Sequence, residues 1–197
     1  MSEQEEALQL PQRFGEGEIH EEWTDVHKAV FNGMVVDYAA MYRFVDELAK
    51  KVGREKAWEW FGAYQEELGR EETDRLRQTH GASGDDAHAA RRLWDAAIEV
   101  ENAGMQYEVI SETDDKLVLK IGSCFVYNAA KKAGLTPHEV CPFAGPRLAN
   151  AMFKRLDGRL GERIVKYRTR ANDFCVAEIG RDVEFGVATP ANAKDAR

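Results

Sequence analysis

The sequence predicts an α+β fold, with a helical N-terminal half packed on a four-stranded antiparallel sheet in β-β-α-α-β-β order. Three observations lead there. Apolar residues recur every three or four positions up to about residue 104. Beyond that point two stretches alternate with period two, the mark of half-buried strands. Between those stretches lie two segments with helix-start and helix-stop residues. A sheet covered on one face by helices satisfies both periodicities.

The elements follow in order. Residues 1–18 read as a flexible acidic leader, rich in Glu and interrupted by Pro11, Gly15 and Gly17. From Trp23 the spacing of Val26, Val30, Met34, Tyr38, Met41, Val45 and Leu48 predicts a long helix that stops at Gly53. Asn32-Gly33 inside it marks a bend or a close helix contact. A second helix spans Arg54 to Leu68 and ends or kinks at Gly69; the charged residues 70–80 form a further short exposed helix. Ser83-Gly-Asp-Asp86 caps the next helix, which carries Leu93, Trp94 and Ile98 and ends at Gly104. Met105, Tyr107 and Val109, then Leu117, Leu119 and Ile121, form a hairpin around Glu112-Thr-Asp-Asp115. A helix runs from about Ser123 to Ala133. Thr136-Pro137-His138-Glu139 has the cap, first-turn proline and acidic third position of a helix start. Pro146 to Leu156 is helical. Ile164–Thr169 and Phe174–Ile179 make a second hairpin around Ala171-Asn172-Asp173, and 186–197 read as a flexible tail. The whole is one domain over 19–185, helical over 19–104 and mixed over 105–185.

Composition narrows the function classes. The chain has 197 residues, 44% hydrophobic and 31% charged, with a net charge of −8. An acidic surface repels phosphate backbones and anionic lipid, so neither nucleic acid nor membrane is an expected partner. No apolar run reaches the roughly 18 residues of a membrane span, and the acidic N-terminus is the opposite of a signal peptide. Three cysteines are too few for a disulfide scaffold, which fits reduced thiols and a cytoplasmic location. Phosphate-cradling glycine loops are absent, so nucleotide chemistry is not expected.

The residues that could carry chemistry cluster late in the chain. Cys124 sits where a strand meets a helix, within reach of a helix dipole that would favour its thiolate. Cys141 precedes Pro142 at a chain break, and His138, three residues earlier, shares a helix face with it. Cys175 falls inside a strand. Cys124, His138, Cys141 and Cys175 together could make a tetrahedral zinc site, although no Cys-x-x-Cys pair exists. Three buried structural thiols are the plainer alternative. Zinc is therefore a possible cofactor and none is certain. His20 and His27 lie two turns apart in an acidic stretch that also reads as an ordinary helix start. Asp37 stands among apolar neighbours and would need a partner if buried.

The stretch from Ile121 to Ile179 resembles the family named L-2-amino-thiazoline-4-carboxylic acid hydrolases. The matching features are Cys124 at its junction, Ala-Gly-Leu at 133–135, the Cys141 segment, and a closing hairpin with Asn172-Asp173-x-Cys175. Family members show Gly-Asp-x-x-Cys at that hairpin, and Ala171-Asn172-Asp173 has no glycine. The resemblance implies hydrolytic opening of a small cyclic amidine to N-carbamoyl-cysteine: water attacks the ring carbon between N and S, and a ring bond breaks. Such chemistry needs a base, an acid and a carboxylate-binding group. On that implication Cys124, His138 and Cys141 are the catalytic candidates, and Arg147, Asp37 and His27 the substrate-binding ones, Arg147 for the carboxylate. The same element order is similar to ligand-binding domains named after 4-vinyl reductase, which implies a small-molecule-binding or sensing module, with structural zinc in some members. A third reading is an accessory subunit docking through its first helices. The long apolar helix face leaves a homo-oligomer open.

Overall fold

Thr24 opens the first helix by accepting the backbone N–H of His27, one of the donors a helix start leaves without an internal partner. The computed structural model describes residues 24–100, 105–170 and 173–188. The expected leader (1–18), His20, Trp23, Gly104, Ala171-Asn172 and the end of the expected tail lie outside those residues. Helix α1 (Asp25–Val52) runs unbroken through Asn32-Gly33, and Gly33 meets no close neighbour. Gly53, with φ of +93°, turns the chain into α2.

Helix α2 (Arg54–His80) is the largest departure from the expected elements, because it does not stop at Gly69. The reason is tertiary. A Cβ on Gly69 would lie 2.4 Å from the carbonyl oxygen of Leu148 in a neighbouring helix. The glycine is there for close backbone approach, and the helix runs on to a left-handed Gly81. Between α1 and α2 sits an aromatic nest: the Tyr42, Trp58 and Phe61 rings lie 5.7 to 5.8 Å apart in mostly edge-on contacts.

Asp86 caps α3 (Ala87–Asp95) by accepting the Ala89 N–H at 2.7 Å, as its position in the sequence predicts. The last turns widen into a π-helical segment, Ala96–Val100. Then come strands β1 (Met105–Glu112) and β2 (Lys116–Cys124), helix α4 (Phe125–Ala133), the short α5 (Pro137–Val140), a 3₁₀ turn (Cys141–Phe143) and α6 (Gly145–Leu156). Thr136 precedes α5 but its side chain makes no cap bond. Strands β3 (Leu160–Lys166), β4 (Cys175–Arg181) and β5 (Gly186–Val187) complete the sheet.

The sheet has five strands in the order β1-β2-β4-β3-β5, rather than four. The two expected hairpins are present and join through the antiparallel β2–β4 pair, with Leu119 opposite Ala177. The extra strand is two residues long, pairs parallel with β3, and opens the segment expected as a tail. One sheet face, carrying Leu117, Leu119, Ala177, Ile179, Leu160 and Ile164, belongs to the main core under the helices. The other carries a smaller cluster of Val118, Phe174 and Val176. No helix among the described residues is long and apolar enough to cross a membrane.

Candidate functional site

The helical layer does not fill the space over the sheet. A cavity of about 340 Å³ remains between them, large enough for a small ring compound, since an apolar void of about 150 Å³ already admits benzene. Every main element contributes to it. Met34 comes from α1, Trp94 from α3, Ile121 from β2, Phe125 from α4, Met152 from α6 and Ile164 from β3. Ala97 and Ile98 of the π-helical turn also line it, as such turns often do at functional sites.

Among this apolar lining stand a few polar groups. Cys124, Cys141 and Cys175 all reach the cavity, beside Tyr167 and Arg168 at the end of β3. Distant in sequence, they meet because β2 ends and β4 begins side by side, with Ile121 opposite Cys175. Burial pushes the Cys141 thiol well above the ordinary thiol range. Burial likewise pushes Cys175 up to about 12, against the opposing effect of the Arg168 backbone N–H. Both are therefore thiols rather than thiolates at neutral pH, and poor nucleophiles. Burial, then Cys141, raises the Tyr167 hydroxyl too. Arg168 is 2% exposed; it donates to the Gly122 carbonyl at 2.7 Å and to the Asp173 carbonyl, and its guanidinium stacks over Tyr127 at 4.6 Å. That fork ties β2 to the β3–β4 connection and closes one wall.

Glu162, like Tyr167 and Arg168, lines the cavity without having been expected there from the sequence. It alternates with Leu160 and Ile164 on β3, so its carboxyl points to the helix-covered face. Its backbone N–H donates to Asn150 Oδ1 at 3.1 Å, while Oε2 has no partner among the described residues. Burial alone pushes this acid up to about 8, so it holds its proton at neutral pH. The signal was present as an acid at an apolar strand position, but the strand was expected to start at Ile164, beyond it.

The other expected site residues lie elsewhere. His138 is half-buried on α5 and is not part of the cavity lining. Arg147 points to α2, binding Glu59 at 2.7 Å and Glu66 at 3.1 Å. Asp37 is exposed on α1, which answers its need for a partner with water. His27 is exposed at the start of the same helix, its Nδ1 2.9 Å from Thr24 Oγ1. Cys124, Cys141 and Cys175 thus converge without His138. Among the described residues no group of three or more His, Cys, Asp or Glu side chains is arranged to hold a metal ion. Phe44 on α1 and Trp60 and Tyr64 on α2 are exposed, while Met34 and Met41 turn inward to the core.

The fold is an α+β domain with an apolar cavity and a few convergent polar groups set between a helical layer and an antiparallel sheet. The chain belongs to the family described as L-2-amino-thiazoline-4-carboxylic acid hydrolase, whose profile matches residues 33–176, from α1 into β4. A comparison with curated proteins finds no match. Among solved structures, the fold is similar to the phenol-responsive sensory domain of the transcription activator PoxR, solved with phenol. The TM-score is 0.55 at 13% identity, over 73% of this chain and 74% of that one.

Proposed function

We propose that this member of the family binds a compact, mostly apolar ring compound in the cavity, as a ligand-binding or sensing module. The observation that carries the reading is the lining itself: Met34, Trp94, Ile98, Phe125 and Met152 surround the space, and the Cys141 and Cys175 thiols in it are held protonated. Apolar lining gives affinity by area, and a few polar atoms give orientation. The shared fold with a domain solved with phenol supports the same reading. Calorimetric titration with phenol and benzyl alcohol tests it. One saturable site per chain with a negative heat-capacity change is expected; no saturable binding of either compound would overturn it.

A second reading follows the family description. Here the protein opens a cyclic amidine of the 2-amino-thiazoline-4-carboxylate type: water adds to the carbon between N and S, the C–S bond breaks, and N-carbamoyl-cysteine leaves with a free thiol. The observation favouring it is the convergence of three thiols and Tyr167 on one cavity. With Cys141 and Cys175 protonated, their role is to donate hydrogen bonds or protons rather than to attack. Incubation with the L-thiazoline, followed by a count of new thiols, tests it. Turnover that falls at least tenfold in Cys124→Ala or Cys141→Ala supports this reading; no thiol release rules it out.

A further inference from the structure

We propose that Glu162 makes the cavity selective for a nitrogen base with a small apolar body, a cyclic or aromatic amine or amidine. This rests on the reading of the cavity as a ligand site. The geometry is unusual for a core position. Leu160 and Ile164 flank Glu162 along β3, and Ile179 lies opposite it on β4, all buried under the helices. Glu162 itself is 2% exposed and lines the cavity, with Oε2 unanswered. Asn150 holds the strand's N–H next to it and leaves the carboxyl alone. A core acid serving structure alone would be expected to carry an ion pair or a hydrogen bond at each oxygen. A carboxyl left unanswered here is a liability, and a ligand that answers it turns the liability into recognition.

The other charged groups on the lining decide which ligand does so. Arg168 is committed to two backbone carbonyls and the Tyr127 face. It acts on the thiols of Cys141 and Cys175 but is not among the groups that shift Glu162. Glu72, on α2, pairs with Arg75. Among the described residues no cation is paired with Glu162, and the place is open for a cation brought by the ligand. When a protonated base enters, the Glu162 O–H bond breaks, its proton passes to solvent, and the carboxylate pairs with the ligand's N–H groups. An amidinium meets both oxygens in parallel, the geometry that makes charge-assisted pairs strong away from water. A neutral alcohol of the same size exchanges one ordinary hydrogen bond. An anionic ligand gains no ion pair from the same buried carboxyl.

The test is calorimetric titration of the full chain at pH 7 with benzamidine, benzyl alcohol and benzoate, for the wild type and Glu162→Gln. Each titration is run in two buffers of different ionisation enthalpy, which counts protons released. In the wild type benzamidine is expected to bind at least about tenfold more tightly than benzyl alcohol, with benzoate weakest. Close to one proton is expected to leave per benzamidine bound and none per benzyl alcohol. Glu162→Gln is expected to lose most of the preference while keeping its benzyl alcohol affinity within about threefold. Equal affinities in the wild type, a preference that survives in Glu162→Gln, or no proton release would overturn the proposal while leaving the cavity reading standing. Binding of none of the three compounds would overturn both. If Glu162→Gln does not fold, the wild-type affinities and proton count decide alone.

Discussion

Helix α6 has two sides that obey opposite rules. Toward α2 it is packed to the backbone. Gly69 admits the Leu148 carbonyl where a Cβ would stand at 2.4 Å, and Ala151 Cβ lies 3.1 Å from that same position. The Thr73 hydroxyl sits 3.0 Å from Gly69 O and 3.1 Å from Met152 O, linking the two helices. Arg147 reaches Glu59 and Glu66, and Arg155 reaches Asp74 at 2.8 Å. Toward the sheet, Leu148, Ala149 and Met152 border empty space. The contrast teaches where the cavity comes from. For α6 to sink toward the sheet, the Thr73 bond to Met152 and the Arg147 and Arg155 ion pairs to α2 would have to stretch. The cavity thus borders the loosely packed side of a helix whose other side is packed to the backbone.

Breaking the seam should cost the most. Gly69→Val forces backbone apart from backbone, and a loss of about 3 kcal/mol is expected, at the upper end of overpacking costs. Thermal unfolding should then move down by roughly 6 to 12 °C. A change under about 1 kcal/mol would show that the contact is softer than the distances imply.

The cavity side predicts a pH effect of similar order. Glu162 titrates near 4.5 when unfolded and near 8 when folded. The folded state therefore binds the proton more tightly, and the contribution works against the folded state as pH rises. Its favourable part is complete below about 4.5 and is lost progressively up to about 8, on the order of a few kcal/mol. Denaturant unfolding at pH 5, 6.5 and 8 should show that slope, and Glu162→Gln should flatten it. An unchanged slope in the variant would place the titrating group elsewhere.

A matched pair sharpens the comparison further. Ala149 and Ala151 are two residues apart, both buried, and face opposite ways. Ala151→Leu pushes into the seam and should cost about 1 to 3 kcal/mol. Ala149→Leu pushes into the cavity and should stay within about 1 kcal/mol of the wild type, or gain slightly, while abolishing benzyl alcohol binding. Equal losses at both positions, measured by denaturant midpoints, would erase the distinction.

The smallest effects belong to the exposed residues. Asp37→Ala should stay within about 0.5 kcal/mol in stability, and ligand affinity should be unchanged. A large loss of affinity would return Asp37 to the site.

These two sides were unequally legible in the sequence. Local signals carried far: Gly53 and Asp86 mark real helix ends, and both hairpins follow from alternation. The seam was hidden because Gly69 reads as a breaker until the partner carbonyl of Leu148 is known; a glycine for close approach and a glycine for a stop look alike along one chain. Strand β5 is too short to show any period. The cysteines are chemically informative in the sequence alone, but their meeting at one cavity depends on the β2–β4 pairing, which no local pattern specifies. Arg147 is the expected partner of a substrate carboxylate, but two acids on α2, more than 80 residues away, hold it. Glu162 could have been found by starting the alternation at Leu160, where Leu160, Glu162 and Ile164 stand on one face.

The most direct test of the cavity as a ligand site is a crystal structure of the protein grown with benzyl alcohol. Density for the ring between Ala149 and Ile164, with α6 still seated on Gly69, is the predicted result. A ring found only on the outer surface, or a cavity closed by α6 moving onto the sheet, would contradict it.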